Sequence, residues 1–354
     1  MPAFENNILG FVRPQDWLDV GFEVTRPNDP VDSLFGDQRT DNMVATWQSI
    51  AAEYQIPMMA QFHAFDTEAQ QTFRVPVDNH SIEKGLIKVK INQSERMRDL
   101  IKQGVQGDQA MYDYVINDGA RLADQVVTRS KVAKNELMAT GKVTIKENNL
   151  DLTVDYGVPE DQLNLELDLS AESDVLEQLL KISDDASARG VTLNGMLTSR
   201  SMLTKLRSHP SVQGAVLGNA GIGRLVRMDE LENLLSSEFG INRVVTNDLS
   251  YGTSDGIIQG APKVKSNRYY PLNTISFFAT NPGGKMGVGL WGDPPEATSP
   301  RTENVSQSAQ SPYVYIKQWV TDDPDAVWTK ASGLFMPVLY NPSSLWIAKT
   351  TGEA

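Results

Sequence analysis

The sequence predicts an α+β chain: one very long helix, strands contributed from both sides of it, and a compact α/β unit between the helix and the tail. Three observations predict this. No proline interrupts a helical pattern from 107 to 140, the run Ile87-Lys88-Val89-Lys90-Ile91 alternates with period two, and a proline-rich linker at 293–300 introduces a β-rich tail. A chain of 354 residues has room for two or three such units.

Taken in order, residues 1–55 carry Pro14, Pro27 and Pro30 among scattered aromatics and only one helix-like stretch, at 41–54. They read as an extended arm that needs a partner surface. Strands follow between 57 and 92, where Phe73-Arg74-Val75-Pro76-Val77 and the alternating run together suggest a long two-stranded excursion. Such a ribbon is marginal alone in water, because no third strand or helix covers its apolar face. A neighbouring copy would supply that cover.

In the helix, Val115, Leu122, Val126, Ala133 and Leu137 keep steps of three, four or seven, and Gly141 is placed to terminate it. At 1.5 Å per residue the span reaches about 50 Å, several times the average globular helix. A hairpin comes next: Val143 and Ile145 alternate on one side, Leu150, Leu152 and Val154 on the other, with Glu147-Asn148-Asn149 as the turn. Residues 170–290 read as a second domain. Its helices are expected near 173–189 (stopped by Gly190), 199–207 and 229–238, and its strands near Val244 and Ser276. The tail strands are expected at 313–319, 327–339 and 345–349, returning to the first domain.

Composition narrows the chemistry. There is no cysteine, so disulfides, thiolate metal sites and cysteine nucleophiles are excluded. Neither a signal-peptide pattern at the start nor an apolar run of about 18 residues is present, so a soluble, non-secreted protein is expected. The net charge of −13 is the wrong sign for gripping phosphate backbones over a broad surface. That charge is uneven: residues 83–147 are net +3, whereas 151–185 hold 11 acids against Lys181 alone. The acidic stretch reads either as a solvated face or as one side of a charge-complementary contact between copies.

Motifs for catalysis fail their context tests. Gly252-Thr253-Ser254-Asp255-Gly256 fits the pattern of a nucleophile elbow, but no helix is expected after it and no histidine follows His209. Without a general base Ser254 stays protonated, and the segment reads as a turn. His63, His80 and His209 lack the spacing of zinc ligands. Asp322, Asp323 and Asp325 are interrupted by Pro324 and lack the glycine and closing glutamate of a calcium loop. The glycine-rich tracts 218–223 and 283–292 lack a phosphate-loop ending, since Met286 follows Gly284-Lys285. No catalytic, cofactor-binding or metal-ligating residue is therefore assigned.

Several segments, in their order, resemble the lambda-type phage major capsid proteins, the major capsid protein E family. They are Ile56-Pro57-Met58-Met59-Ala60, Phe65-Asp66-Thr67-Glu68-Ala69, Phe73-Arg74-Val75-Pro76, the long helix, and Thr140-Gly141-Lys142-Val143. Towards the end Trp319, Asp323-Pro324, Pro337-Val338-Leu339 and the strand through Trp346 match the family's closing β segment. The resemblance spans about 33 to 350 and implies the Hong Kong ninety-seven phage-type capsid fold. It divides the chain into an N-terminal arm (1–55), an extended β loop (56–98), a peripheral domain on the spine helix (99–169), an axial domain (170–292) and a returning β segment (293–354).

The implied function is that of a non-enzymatic major head protein of a tailed bacteriophage, self-assembling as hexamers and pentamers into an icosahedral shell around double-stranded DNA. The implied partners are further copies of the chain, scaffold, portal and decoration proteins, and weakly held DNA, with no membrane. The implied places are the host cytoplasm for synthesis and the virion afterwards. Some relatives join subunits through lysine, for which Lys84, Lys88 or Lys90 are candidates, although lysines on an exposed ribbon more often only block edge pairing. Two alternatives stay open: an encapsulin-type cellular compartment with the same fold, and a hydrolase using Ser254 or a carboxylate pair.

Overall fold

The computed structural model describes residues 28–49, 74–94, 108–218, 221–258, 261–297, 305–307, 312–323 and 325–351, with isolated positions between 56 and 65. After a 3-10 turn at Pro30–Ser33 come β1 (Phe35–Arg39), β2 (Val44–Ser49), β3 (Asp78–Glu83), β4 (Gly85–Ser94), the helix α1 (Asp108–Thr140), β5 (Lys142–Glu147) and β6 (Leu150–Asp155). The middle of the chain forms α2 (Glu160–Leu163), β7 (Leu165–Asp168), α3 (Val175–Ala188), β8 (Gly195–Thr198), α4 (Arg200–Ser208), α5 (Pro210–Leu217), α6 (Met228–Phe239) and β9 (Arg243–Thr246). Then follow β10 (Ser250–Ile258), β11 (Ala261–Arg268), β12 (Thr274–Phe278), β13 (Gly287–Gly292), β14 (Val305–Gln307), β15 (Tyr315–Asp322), β16 (Asp325–Leu339) and β17 (Leu345–Thr351).

The long helix forms as its periodicity predicts. Leu122, Val126, Ala133 and Leu137 bury along one stripe, and Gly141 ends it at φ 70°, with its amide bonded to the Leu137 carbonyl at 2.8 Å. The next hairpin turns on Asn148 and Asn149, both at positive φ (50° and 65°), the backbone of a two-residue type I′ turn.

Against the helix lies a six-stranded sheet in the order β1-β13-β16-β15-β14, with β4 also paired to β16. Here two expectations are corrected. The helix-like stretch at 41–54 is strand over 44–49, because β2 pairs with β3 in register from Val44↔Glu83 to Ser49↔Asp78, and Trp47 stacks between His80 and Tyr156. The alternating run is not half of a free ribbon: β4 pairs with β16 from Gly85↔Phe335 to Ser94↔Ala326, and Ile87, Val89 and Ile91 pack on the chain's own core. Local alternation reveals a strand but not its partner. Phe73 lies outside the described residues.

A five-stranded sheet, β7-β17-β12-β8-β9, carries the second unit. Every residue of β12 is buried, because helices α3 to α6 cover one face through Ile275 and Phe277, and the other face joins the core of the long helix through Phe278. Ser276 on that strand donates to the Met138 carbonyl at 2.5 Å. The tail therefore divides, with β15 and β16 in the six-stranded sheet and β17 in the five-stranded one. Likewise residues 287–292, which the resemblance assigns to the axial domain, form β13 and pair with β1 and β16.

Candidate assembly surface

The residues tested for chemistry are placed apart from one another. Ser254 lies within β10, in a two-stranded pair with β11 that carries a bulge between Ser254 and Ile257. The segment is thus strand rather than the expected turn, and among the described residues the element that follows is β11, not a helix that could raise the serine. His209 caps α5, with Nδ1 2.9 Å from Ser211 Oγ and Nε2 2.9 Å from the Ser170 carbonyl oxygen. His80 stacks on Trp47 at 5.2 Å, and His63 lies outside the described residues. Asp322 faces Asp325 across the end of the β15–β16 hairpin. The second glycine tract serves packing: a Cβ on Gly287 would meet the Phe35 ring at 2.6 Å and the Val338 carbonyl.

Buried polar groups fasten the arm to its own chain, a role that sequence reasoning missed. Lys134 of α1 lies 2.8 Å from both Asp32 and Asp37. Burial alone would depress this ammonium, and the two carboxylates more than reverse it, so its pKa is raised. Asp29 accepts from the Val31 amide (3.0 Å), Asn135 (2.6 Å) and Asn247 (3.0 Å). Desolvation, reinforced by Asp32, still holds its carboxyl above the ordinary range.

Lys84 is buried rather than displayed on a ribbon. Its amine donates to the carbonyls of Asn42 (2.6 Å) and Thr40 (3.1 Å), and burial lowers its pKa against the pull of Asp293 and Asp41. Lys88 and Lys90 are exposed; Lys90 lies 4.4 Å over the Trp328 ring.

Exposed apolar side chains occur along the chain, and the most exposed of them are close in sequence. Met59, Phe62 and Phe65 are 89%, 105% and 100% exposed. A groove of about 330 Å³ runs between β4 and the β5–β6 hairpin, lined by Leu86, Ile87, Ile145, Leu150, Leu152 and Phe335. Scattered exposed leucines are ordinary, whereas three bulky side chains this exposed within seven residues are not.

A family model described as phage major capsid protein E matches residues 49–350. The chain belongs to that family. As a phage major capsid protein E member it is a structural shell protein of a tailed phage, not an enzyme, and its place is the virion. The family match also removes the hydrolase reading of Ser254. No curated protein matches the chain.

Among solved structures, the capsid protein is similar to the putative capsid protein of an E. coli CFT073 prophage, at 16% identity over 78% of this chain and 80% of that one, with a TM-score of 0.50. It is similar also to the capsid of cyanophage A-1(L), at 13% identity over 90% and 91%, again with a TM-score of 0.50. These likenesses concern the fold, which is the Hong Kong ninety-seven type. No helix among the described residues is long and apolar enough to cross a membrane.

Proposed function

We propose that copies of this chain close an icosahedral shell as hexamers and pentamers around double-stranded DNA, each copy burying Met59, Phe62 and Phe65 on a neighbour. The exposure of those three side chains carries the reading. Burying a large apolar side chain contributes about 1.5–3 kcal/mol. Symmetry repeats each such contact many times over a shell. The apolar groove beside β4 is the receiving surface of matching character.

The roles divide into arm (1–55), extended loop (56–98), peripheral domain (99–169), axial domain (170–292) and returning segment (293–354), with β17 lent to the axial sheet. Scaffold, portal and decoration proteins are the further partners, since a shell built from one chain in two ring sizes needs its curvature set and an opening for DNA. A net charge of −13 supports weak, non-specific contact with that DNA. The absence of cysteine suits synthesis in a reducing host cytoplasm.

Electron microscopy of the purified chain, alone and with a co-expressed scaffold, tests this. Wild type should form rings or shells, and Phe62→Ser with Phe65→Ser should leave a folded monomer whose melting temperature is unchanged. Shell formation by the double variant at wild-type concentration overturns the contact.

A further inference from the structure

The acidic stretch has a counterpart directly after it. Between 186 and 228 the chain carries Arg189, Arg200, Lys205, Arg207, Arg224 and Arg227 and no acid at all, in a protein whose net charge is −13. The acidic residues from β7 through α3 and the basic stretch both belong to the five-stranded unit, and each exposes apolar side chains inside its charged rim.

On α3, Glu177, Leu180 and Asp184 stand at i, i+3 and i+7 and share one exposed face, with Leu180 47% exposed. Lys181 is the single cation there. On the basic side, Ile222 and Leu225 are each 53% exposed, interleaved with exposed Arg224 and Arg227. That loop is held in place: Val226 is buried, its carbonyl accepts from Arg207 Nε at 2.6 Å, and the Gly223 amide donates to Gln213 at 2.8 Å.

Arg227 pairs with Asp229 at 3.3 Å. Among the described residues, no ion pair within the chain engages Glu177, Asp184 or Arg224. The two patches are therefore unspent, opposite in charge and alike in apolar content, the composition of a protein interface with an apolar centre and polar rim.

We infer that the exposed face of α3 in one copy docks on the 221–227 loop of the next copy, pairing Glu177 and Asp184 with Arg224 around Leu180, Ile222 and Leu225. Two different complementary patches on one molecule make a head-to-tail contact, which closes into a ring when the rotation allows. The inference rests on the shell reading and supplies that reading with a ring-forming contact between axial units. Because exposed charges are screened by salt, assembly through this contact weakens as ionic strength rises.

Charge reversal tests it. Arg224→Glu alone, and Glu177→Lys with Asp184→Lys, each place like charges together, so each should raise the concentration needed for ring or shell formation at least about tenfold. An equimolar mixture of the two variants alternates matched faces and should restore assembly, in even-numbered rings. Circular dichroism establishes that each variant is folded.

Assembly of either variant at wild-type concentration, or failure of the mixture, overturns the contact. So does a variant that loses DNA binding while assembling normally, which would assign the loop to nucleic acid. A wild-type chain that never assembles, with or without scaffold, removes the shell reading itself.

Discussion

Glu296 is a 7% exposed carboxylate held by Ser332 Oγ at 3.0 Å and by Lys330. Desolvation, the largest influence, pushes its pKa up, but the hydrogen bond from Lys330 and the other favourable contacts outweigh it, leaving the group below its ordinary carboxylate range. A folded-state pKa below the unfolded one contributes stability that is present above the unfolded value and lost as pH falls through the folded one. Glu296→Gln should therefore lower stability at neutral pH by about 1–2 kcal/mol, and the gap between variant and wild type should narrow as pH falls below the ordinary carboxylate range and close once the folded-state carboxylate is protonated. Thermal melts across that range check it, and a gap independent of pH would refute the pairing. None of this was legible in the sequence. Glu296 sits in a proline-rich linker and its partners come from β16, just as Lys84 reads as a ribbon lysine until the loop between β1 and β2 and the Trp291 carbonyl of β13 close around it. Pairings made through the fold leave no local trace.

Elements with local punctuation were legible, and those defined only by a partner were not. The long helix, the Asn148-Asn149 hairpin and the glycine stops at 141 and 190 all stand where spacing and positive φ require them. The β10–β11 pair escaped because a two-stranded sheet has little core to impose alternation, and its glycine- and serine-rich composition reads as turn. The 41–54 stretch misled for the opposite reason, since its apolar spacing suits a helix until β3 and His80 supply strand partners. Gly141 shows how much one stop contributes. A Cβ there must adopt φ 70° and lies 2.6 Å from Leu163 Cδ2. Left-handed backbone costs about 1–2 kcal/mol for an L side chain. Gly141→Ala should lower unfolding free energy by at least that amount, read as a shifted urea midpoint with unchanged slope. An unshifted midpoint would mean that the helix end and Leu163 relax freely.

Across the whole molecule, sequence order foretold the long helix, the hairpin after it and the helices of the second unit, but not how the two units share strands. β17, from the tail, lies between β7 and β12 in the five-stranded sheet, and β13, which follows β12 in the chain, leaves that sheet to pair with β1 and β16. One apolar core includes Leu137 of α1, Trp291 of β13, and Leu197, Phe278 and Ile347 of the five-stranded sheet. The arm residues clasp both units, as Asp29 binds Asn135 and Asn247, and Ser33 accepts from Arg243 at 2.6 Å. Units interleaved in this way unfold together. The intact, unassembled chain should melt in one calorimetric transition, whereas residues 170–292 expressed alone should not fold. That fragment lacks β7 and β17, so Ile275 and Phe277 of β12 lose Ala348 and Trp346 as neighbours across the strand pair. Far-ultraviolet circular dichroism and calorimetry of the fragment decide the matter. A cooperative transition would show that the axial unit supports itself, and the interleaving would then serve to fix the angle between the units rather than their stability.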